Sequence, residues 1–553
     1  MTGAELLVRC LSEAGIDVIY GVPGEENTDL MLALEASDIR FVLTRHEQAA
    51  AFMASVYGRL TGRPAGCLST LGPGATNLLT GVADATLDFV PLVAITAQAN
   101  RERMALSESH QVIDLEALFR PVTKVSQTLM TAQAIPGVVA EALRQACAPR
   151  PGAVHLSLPE DVAAAEVTAS PLNVPETTPP LPAPGAVLEA IRVLRQAERP
   201  VLMVGNGVIR AGVSSTVQYL AEALNIPVVT SFMAAGVLPK EHGLNMFTLG
   251  QPFVDHIDRA VAQSDLIVAI GFDPIEYPPT KLTNNGTIPV ITLSEQPGAA
   301  DVGWPLKAEI VGGLAASMKA IAAGLTGHVW KVSAEMTTAR DKMLEMLAKT
   351  STEAEDNSFR AEDVLSVVES NLNATDVILS GVGTHKMKVA RSLIPKRPGQ
   401  MIIANGLAGM GLALPGAIAA AELTPEGHVL AICGDGDFLM NVQDMETAAR
   451  LGHPLTVMVW EDGGYGLIEA KQEDDTDTHT ALGFSNPDWG HLAKAFGWQH
   501  MPVAQFKDLD GALKTAKAAD GPTLLTLCIS YSEPLRDRVE MPGGSAKESG
   551  GSR

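Results

Sequence analysis

Short apolar runs alternate along the chain with longer segments of helical spacing. Residues 18–20 follow an amphipathic stretch, and residues 41–43 follow a Pro-Gly turn and a second helical stretch. Such alternation is typical of strands that lie in a parallel sheet and are covered by helices on both faces. The pattern therefore predicts an α/β fold built from doubly wound parallel sheets.

The alternation falls into three blocks, and it predicts three domains at residues 1–165, 185–330 and 355–540. A chain of 553 residues also exceeds what one hydrophobic core supports. The strands predicted in these blocks are residues 18–20, 41–43, 65–70, 92–96, 154–158, 201–204, 226–230, 266–270, 290–293, 377–380, 401–404, 429–433, 455–460 and 524–529.

The segments between and after these blocks have different compositions. Six prolines among residues 171–184 exclude a helix interior and predict a linker. A polar helical stretch at roughly 333–357 connects the second block to the third. Small polar residues at 543–553 predict a flexible tail.

Composition and charge limit the kinds of partner. Hydrophobic residues make up 46% of the chain and the formal net charge is −23, which describes an acidic globular protein. This charge repels phosphate backbones and anionic lipids, so we expect neither nucleic acid nor membrane partners. An anionic substrate would need local cations or a metal ion.

The cysteines and the amino-terminal segment indicate the cellular compartment of the protein. The five cysteines are scattered and have no metal-ligand spacing, which favours free thiols in a reducing environment. Charged residues such as Glu5 and Arg9 interrupt the first apolar stretch, so it has the character of neither a signal peptide nor a membrane span. We therefore expect a cytoplasmic protein.

Two predicted strands of the third block end directly in a carboxylate. Asp435 lies in Gly-Asp-Gly-Asp after one strand, and Asp462 precedes Gly-Gly after the next. Ligands bind α/β sheets at the carboxyl ends of strands, and carboxylate oxygens with few other protein ligands suit Mg²⁺ on phosphate. The alternative is that the first segment is only a tight turn and Asp462 only a helix cap.

A Gly-Asp-Gly segment followed one strand later by Asn or Asp resembles the diphosphate motif of thiamine-diphosphate-dependent enzymes. The resemblance implies that Asp435, Asp462 and the carbonyl of Gly464 bind Mg²⁺. Most members have Asn-Asn where this chain has Glu461 and Asp462, and an Asp there resembles the catabolic acetolactate synthases. The residues that the motif places beside the cofactor are Gly434, Asp435, Gly436, Asp437, Gly464 and Tyr465.

The same family has a glutamate in its amino-terminal domain, and Glu47 stands at the matching position after a predicted strand. The resemblance implies that Glu47 hydrogen-bonds N1′ of the aminopyrimidine and so promotes formation of the thiamine diphosphate ylide. Without the family, Glu47 would be an ordinary residue in the first turn of a helix, favoured by the helix dipole.

Two glycine-rich segments add to the resemblance. Residues 72–77, Gly-Pro-Gly-Ala-Thr-Asn, resemble an active-site loop of the acetolactate synthase branch and contribute Gly74 and Asn77. Gly24 belongs to a second loop of that domain. Any strand-to-helix turn can use Gly and Pro, so each segment alone is a weak signal.

Residues 405–411 resemble the segment in which a bulky apolar side chain props the cofactor in a bent shape. Met410 is the candidate for this role, and the Ala408 carbonyl is placed to accept from the 4′-amino group. A lone Met is more often a core residue.

Further positions are assigned by resemblance. His110 and Gln111 correspond to residues that line the substrate, and Gly383 and His385 to residues that line the diphosphate. For each histidine the alternative is a structural, hydrogen-bonded residue.

Three charged residues depart from the family pattern. Lys471 stands where relatives carry Gln or Trp, and we hypothesise that it faces the carboxylate of the acceptor; the alternative is a solvated helix lysine. Glu25 and Glu26 stand where relatives have small or basic residues. They either pair with Lys471 or repel a second keto acid and favour a neutral aldehyde.

The resemblance is closest to acetolactate synthase of the catabolic type, partly through residues 271–277, which resemble the central domain of enzymes without FAD. It implies pyrimidine-binding, central and diphosphate-binding domains in that order. It further implies decarboxylating carboligation of two pyruvate molecules to 2-acetolactate and CO₂. Thiamine diphosphate and Mg²⁺ are the expected cofactors, and FAD is not expected. The family forms homodimers or homotetramers with active sites at the subunit interface.

Other functions stay open from the sequence. One is a different thiamine-diphosphate-dependent 2-keto-acid decarboxylase or aldehyde carboligase. Another, from a different class, is a catalytically silent nucleotide-binding paralogue, because a fold alone does not fix a function. The presence of Glu47, Asp435 and Asp462 argues against the silent paralogue.

Overall fold

The structure is a computed structural model that describes residues 1–106, 110–173, 175, 178–250, 254–298, 303–348, 358–476 and 478–531. Its strands form three separate sheets, one for each predicted block. The first sheet contains β1 (Val18–Gly21), β2 (Arg40–Leu43), β3 (Ala65–Ser69), β4 (Leu92–Gln98), β5 (Val125–Thr128) and β6 (Ala153–Pro159). The second contains β7 (Pro200–Val204), β8 (Val228–Thr230), β9 (Asn245–Thr248), β10 (Leu266–Ile270), β11 (Val290–Ser294) and β12 (Leu306–Val311). The third contains β13 (Phe359–Arg360), β14 (Val377–Ser380), β15 (Met401–Ile403), β16 (Val429–Gly434), β17 (Thr456–Glu461), β18 (Gln499–Pro502) and β19 (Thr523–Ser530).

Every pair of neighbouring strands in these sheets is parallel. The strand orders are β2-β1-β3-β4-β6-β5, β12-β11-β10-β7-β8-β9 and β13-β19-β17-β16-β14-β15, and β18 pairs with β19. Parallel neighbours require crossover connections, which the intervening helices supply. The predicted fold class of three parallel-sheet α/β units is confirmed.

Helices connect the strands in each unit. In the first they are Gly3–Glu13, Thr28–Glu35, Glu47–Thr61, Pro73–Leu87, Arg101–Met104, Leu115–Phe119, Ile135–Cys147 and Glu160–Ala164. In the second they are Pro184–Leu194, Gly207–Arg210, Ser214–Leu224, His256–Val261, Pro279–Leu282, Leu314–Gly324 and Ala334–Ala348. In the third they are Ala361–Asn371, Thr384–Ser392, Ala413–Leu423, Asp435–Leu439, Met445–Leu451, Gly466–Thr476, Trp489–Ala495 and Leu509–Lys517.

Local sequence explains where important helices begin and end. Thr2 and Glu5 form a reciprocal capping box that starts the first helix. The helix Glu47–Thr61 ends at Gly62, whose φ of 70° is a left-handed conformation that glycine adopts without strain. Alanines and other small residues line much of this helix, so that neighbouring elements approach it closely.

Five strands lie outside the runs that the apolar pattern predicted: β5, β9, β12, β13 and β18. They lie at sheet edges or, for β18, beside β19 off the main order. Several of them are partly exposed or polar, as in the sequence Gln-His-Met-Pro of β18. An edge strand needs only one neighbour and no continuous apolar run, so the pattern did not reveal it.

The first and third units share one hydrophobic core. The helix Glu47–Thr61 packs against the helix Ala413–Leu423, and Phe52, Val56 and Leu379 belong to the same buried cluster as these helices. A Cβ atom at Gly416 would lie only 2.6 Å from a Leu379 methyl carbon and 2.8 Å from a Val56 methyl carbon. Glycine is therefore needed where these helices approach the sheet, and the shared core fixes the two units relative to each other.

The predicted connecting segments are described in part. The helix Ala334–Ala348 accounts for the beginning of the predicted polar stretch, and residues 349–357 lie outside the described residues, as does the predicted tail 543–553. The described residues between 171 and 183 form no helix or strand. The exact domain boundaries stay predictions. No helix in the part of the chain that the structure describes has the length and apolar character needed to cross a membrane.

His155 makes the stability of the first unit depend on pH. The ring is fully buried, stacks on Phe119 at 3.9 Å and is hydrogen-bonded to Thr96 and Ser126 through its two nitrogens, each at 2.9 Å. Burial lowers the pKa of His155 to about 3. As the pH falls from about 6.5 towards 3, the unfolded chain takes up a proton that the folded chain does not bind.

We expect the free energy of unfolding to fall over this range, with His155 contributing up to about 1.4 kcal/mol per pH unit. His155→Gln removes the titrating ring and should reduce this slope, as measured by denaturant unfolding between pH 7 and pH 4. His491→Gln is the control, because His491 is a highly exposed surface residue. An unchanged slope in His155→Gln would contradict the assignment.

Candidate active site

A cavity of about 210 Å³ lies at the carboxyl ends of β14, β16 and β17, beside the loop that follows β15. Because β14 pairs with β16 and β16 with β17, the loops after these strands meet at one edge of the sheet. The residues that line the cavity are Val382, Gly383, Thr384, His385, Ala408, Met410, Gly434, Asp435, Gly436, Asp437, Asp462, Gly464, Tyr465, Gly466, Leu467, Ile468 and Tyr531.

Asp435 joins the two central loops at this edge. Its Oδ2 atom accepts from the backbone N–H of Gly463 at 2.9 Å and of Asp462 at 3.3 Å, and from the side-chain amide of Asn486 at 2.8 Å. Its Oδ1 atom accepts from the N–H of Gly436 at 2.8 Å. One buried carboxylate thus fixes the loop after β17 relative to the loop after β16, which supports the reading of a built site over a simple turn.

Asp462 lies next to Asp435 at the mouth of the cavity. Its pKa is raised to about 7 by desolvation and by the negative charge of Asp435. Two carboxylates that disfavour each other's charge suit a divalent cation, which would relieve the repulsion. The backbone of Gly464 lies in the same wall of the cavity, so the three predicted metal ligands are brought together.

Asp437 holds the loops that follow β14 and β15. Its Oδ1 atom accepts from the N–H of Val382 at 3.1 Å and from the N–H of Gly411 at 2.9 Å. Burial raises the pKa of Asp437 to about 6, and these two backbone donors oppose the shift. The Gly-Asp-Gly-Asp segment therefore contacts the loops after β14, β15 and β17 through its two carboxylates.

Thr384 and His385 bring two buried polar side chains to the lining of the cavity. Within the described residues, the Thr384 hydroxyl has no hydrogen-bond partner, and it lies beside Asp462, since a Cβ atom at Gly466 would be 3.1 Å from Oγ1 of Thr384 and 3.4 Å from Oδ2 of Asp462. Burial lowers the pKa of His385 to about 3, so the ring is neutral at ordinary pH. An unpartnered hydroxyl beside a pair of carboxylates fits a diphosphate that shares a divalent cation with them.

The glycines of the motif allow close packing around the cavity. A Cβ atom at Gly434 would lie 3.1 Å from Nδ1 of His385, and one at Gly436 would lie 2.8 Å from Cε1 of Tyr465. The Tyr465 ring also packs against Phe484, with ring centroids 5.2 Å apart. Larger residues at either glycine would displace His385 or Tyr465.

Glu47 belongs to a second cluster, in the first unit. It is the first residue of the helix Glu47–Thr61 and is 8% exposed. Its Oε2 atom accepts from the side-chain amide of Asn77 at 2.9 Å. A Cβ atom at Gly74 would lie 3.2 Å from Oε1 of Glu47. The structure thus brings the predicted residues Glu47, Gly74 and Asn77 together.

The remaining residues predicted in the first unit flank this cluster. A Cβ atom at Gly24 would overlap the side chain of Thr70, at 2.4 Å, and the Thr70 hydroxyl donates to Oε2 of Glu26 at 2.6 Å. Gln111 packs against the loop 72–77, since a Cβ atom at Gly72 would lie 2.8 Å from the Cβ of Gln111. His110 and Gln111 are both exposed, and residues 107–109 lie outside the described residues.

Lys471 lies in the helix Gly466–Thr476, and its side chain is 72% exposed. Its ammonium group is 2.8 Å from a carboxylate oxygen of Asp475, one turn further along the helix. Leu467 and Ile468 of the same helix line the cavity, whereas Lys471 is not among the lining residues. Its contact with an acceptor stays a prediction.

The two clusters are separate within one chain, because every described residue that lines the cavity belongs to the third unit. Sequence reasoning missed Thr384, Asn486 and Tyr531. Thr384 adjoins the predicted Gly383 and His385, and its position as the first residue of a helix after β14 is a signal that was available. Asn486 and Tyr531 lie far along the chain from the motif, and their sequence surroundings carry no such signal.

The contacts of Asp435 and Asp462 predict different responses to the same substitution. Asp435→Asn places the NH₂ group of an amide against several backbone N–H donors. Mg²⁺ affinity should therefore fall at least about tenfold, a loss equivalent to that of one hydrogen bond to a charged group. Asp462→Asn keeps an oxygen at the cation and removes the repulsion with Asp435, so its effect on affinity should be smaller.

Melting temperatures with and without Mg²⁺ measure both effects. Above pH 7, where the Asp462 carboxyl is ionised, Asp462→Asn should raise the melting temperature of the metal-free protein and Asp435→Asn should lower it. Equal changes in the two variants would contradict their different roles.

Comparison with known proteins agrees with this geometry. Models of the thiamine pyrophosphate enzyme family match the chain in three parts: the N-terminal TPP binding domain at residues 1–118, the central domain at 187–321 and the C-terminal TPP binding domain at 381–527. The acetolactate synthase of Bacillus subtilis is 32% identical over 545 residues, which cover 96% of this chain and 94% of that protein.

Two further relatives extend the comparison. The acetolactate synthase of Mycobacterium bovis is 33% identical over 541 residues, covering 94% of this chain and 86% of that protein. The catabolic acetolactate synthase of Raoultella terrigena is 28% identical over 535 residues, covering 96% and 95%. The chain therefore belongs to the thiamine diphosphate enzymes, within the acetolactate synthase family.

Proposed function

We propose that this protein is an acetolactate synthase that converts two pyruvate molecules into 2-acetolactate and CO₂. The observation that carries the proposal is the pair of carboxylates, Asp435 and Asp462, at the ends of adjacent strands in one cavity, beside the unpartnered hydroxyl of Thr384. Relatives named acetolactate synthase match nearly the whole chain and support the same reaction.

In this proposal the cavity holds thiamine diphosphate through its diphosphate. Asp435, Asp462 and the Gly464 carbonyl bind Mg²⁺, which neutralises the diphosphate in a protein of net charge −23. The remaining contacts to the diphosphate would come from the walls that the loops after β14, β16 and β17 form, namely from Gly383, His385, Gly434, Gly436 and Tyr465, while Asp437 holds the loops after β14 and β15.

Thiamine diphosphate supplies a carbon nucleophile for the keto group and accepts the electrons that remain when CO₂ leaves. The protein's part in this chemistry is to place protons. Glu47 hydrogen-bonds N1′ of the aminopyrimidine, and Asn77 fixes the Glu47 carboxyl by donating to its Oε2 atom. A side chain at position 74 would press on the other oxygen, so Gly74 leaves the room that the carboxyl needs.

The loop 405–411 sets the shape of the bound cofactor. Ala408 has a φ of 53°, the left-handed region, which turns the backbone sharply before Met410. Ala408 and Met410 both line the cavity. We assign the Ala408 carbonyl as the acceptor for the 4′-amino group. We assign the Met410 side chain as the apolar group that supports the bent shape of the cofactor.

Two of the substrate residues lie around the first cluster, and the third lies on the helix Gly466–Thr476 of the third unit. Gln111, which packs on the loop 72–77, and His110 are assigned to the pyruvate that reacts first, and Lys471 to the carboxylate of the second. The ion pair of Lys471 with Asp475 is highly exposed, so it costs little to exchange for another carboxylate.

We propose that the enzyme works without FAD. In the central unit, both carboxylate oxygens of Glu276 accept from the N–H of Asn206, at 2.8 and 3.1 Å, and the Ser231 hydroxyl donates to the same carboxylate. Asn206 lies between Gly205 and Gly207 after β7, a turn of the kind that binds nucleotide diphosphates. The Glu276 carboxyl occupies that backbone donor, so the donor is not available to a diphosphate.

We further propose a homodimer or homotetramer with domains at 1–165, 185–330 and 355–540. The cavity has no described wall from the first unit, whereas Glu47 must reach the cofactor, so Glu47 of a second chain would complete each site. The unpaired state of all five cysteines supports a cytoplasmic location.

One contact favours a second candidate, the joining of a 2-keto acid to a neutral aldehyde. Glu26 is hydrogen-bonded to Thr70, and the Thr70 methyl carbon would lie 2.9 Å from a Cβ at Gly74, next to Glu47. This places a second acidic side chain near the reacting region. Its negative charge opposes the carboxylate of a second pyruvate more than it opposes an aldehyde.

Incubation of the purified protein with pyruvate, thiamine diphosphate and Mg²⁺ tests the proposal, with chromatography of the products. We expect acetolactate, in the same amount with or without added FAD. Acetaldehyde alone would show a decarboxylase, and a mixed product formed only when an aldehyde is added would favour the second candidate.

Glu47→Gln should reduce turnover by about 10² to 10⁴, because proton transfer to and from the cofactor depends on this carboxyl. The affinity for the Mg²⁺ complex of thiamine diphosphate should change little, since that complex is held by the other cluster. Titration of intrinsic tryptophan fluorescence measures the affinity. A large loss of affinity with normal turnover at saturation would contradict the assignment.

Co-expression of Glu47→Gln and Asp435→Asn chains tests the shared site. At a Mg²⁺ concentration too low to load the Asp435→Asn protein, each variant alone should have little activity, but a mixed dimer contains one site with both residues intact, so the mixture should recover about a quarter of normal activity. The control is a dimer in which both chains carry both substitutions, so that no site is intact. No recovery in tagged, purified mixed dimers would show that both residues act within one chain.

A further inference from the structure

The loop 405–411, which carries Ala408 and Met410 to the cavity, is held at both of its ends by carboxylates. At its far end, Gly411 donates its N–H to Asp437 at 2.9 Å, and its carbonyl accepts from the side-chain amide of Asn441 at 2.8 Å. Both partners lie in the third unit, directly after β16. This end of the loop is therefore fixed by the same segment that forms the metal site.

The first unit holds the backbone at the near end of the loop, while the Asn405 side chain contacts the central unit and Lys386. The Asp88 carboxylate accepts from the N–H of Asn405 at 3.1 Å and from the N–H of Gly406 at 2.6 Å. Asp88 follows the helix Pro73–Leu87, and its side chain has no exposed area. A Cβ atom at Gly406 would lie 2.6 Å from the carbonyl oxygen of Leu87, so only glycine permits this approach.

The Asp88 carboxylate is itself fixed by Arg59. The guanidinium donates to Asp88 at 2.7 Å and to Asp84 at 2.9 Å, and the Arg59 side chain is 9% exposed. A buried carboxylate needs such a charge partner, because removal from water otherwise disfavours its ionised form. Asp88 thus accepts from one guanidinium and two consecutive backbone N–H groups, whereas Asp84 does not contact the loop.

We propose that Asp88 is a positioning residue for the cofactor: it fixes the near end of the loop 405–411 and thereby places Ala408 and Met410 in the cavity. The proposal rests on the function proposed above, in which these two residues contact thiamine diphosphate. Asp88 itself touches neither cofactor nor substrate. It acts from a different domain, and so it couples the packing of the first unit to the shape of the cofactor site.

The decisive experiment compares Asp88→Asn with Asp84→Asn. Both substitutions remove a buried negative charge beside Arg59, but only the first weakens a bond to the loop. Asp84 is the matched control, because its carboxylate also accepts from the Arg59 guanidinium and its side chain has no exposed area. Gly406→Ala displaces the loop from Leu87 while leaving both carboxylates intact.

The first readout is backbone hydrogen–deuterium exchange in the cofactor-free protein, measured by mass spectrometry of peptides that cover residues 401–412. Asp88→Asn and Gly406→Ala should exchange at least about tenfold faster in this segment, and Asp84→Asn should match the unaltered protein. Equal exchange in Asp88→Asn and Asp84→Asn would overturn the proposal.

The second readout is kinetic. A displacement of the loop should lower kcat by about ten- to a hundredfold in Asp88→Asn and Gly406→Ala, with the dissociation constant of the Mg²⁺–thiamine diphosphate complex changed less than about threefold. Asp84→Asn should retain kcat within about twofold. An equal loss of kcat in all three variants would also overturn the proposal, because it would reflect general destabilisation.

Failure of this inference can be separated from failure of the proposed function. Exchange measures the anchoring without substrate or cofactor. Acetolactate formation by the unaltered protein tests the function alone. If Asp88→Asn does not fold, Gly406→Ala decides the outcome, since it leaves the Arg59 ion pairs in place.

Discussion

The carboxyl ends of neighbouring parallel strands meet at one edge of a sheet, and the candidate active site depends on this constraint. In the third sheet it brings the loops after β14, β15, β16 and β17 around one cavity, although these loops lie far apart along the chain. Two adjacent carboxylates, Asp435 and Asp437, then tie the loops together through backbone N–H groups. Gly434 and Gly436 matter because they let the His385 and Tyr465 rings approach the backbone.

Much of this arrangement follows from the sequence. Buried central strands leave long apolar runs, so the three sheets were predicted, and strand ends marked by Asp435 and Asp462 located the cavity. Only the resemblance to the family identified Glu47 as a site residue, because its local sequence is that of an ordinary first turn of a helix. Its hydrogen bond with Asn77 joins two helices that start 26 residues apart, at Glu47 and Pro73, and no short-range pattern reports such a contact.

The features that the sequence did not reveal have two physical causes. Edge strands such as β5 and β18 are partly exposed and need no continuous apolar run. Hydrogen bonds between residues far apart in the sequence leave no periodic pattern. Asp88 is bonded to Asn405, 317 residues away, and Asn486 to Asp435, 51 residues away. From sequence alone, an aspartate that follows a helix, such as Asp88, would be assigned to the surface. Only the fold shows which backbone N–H groups donate to it.

Asn405 also determines how the molecule can move. Its N–H is bonded to Asp88 in the first unit, and its side-chain amide donates to the carbonyls of Ile275 and Glu276 in the central unit at 3.0 and 3.3 Å. A hinge opening between the three units would break these bonds together and expose a buried ion pair. Because one residue is bonded to two other units, independent motion of any one unit is opposed by the bonds to the other two.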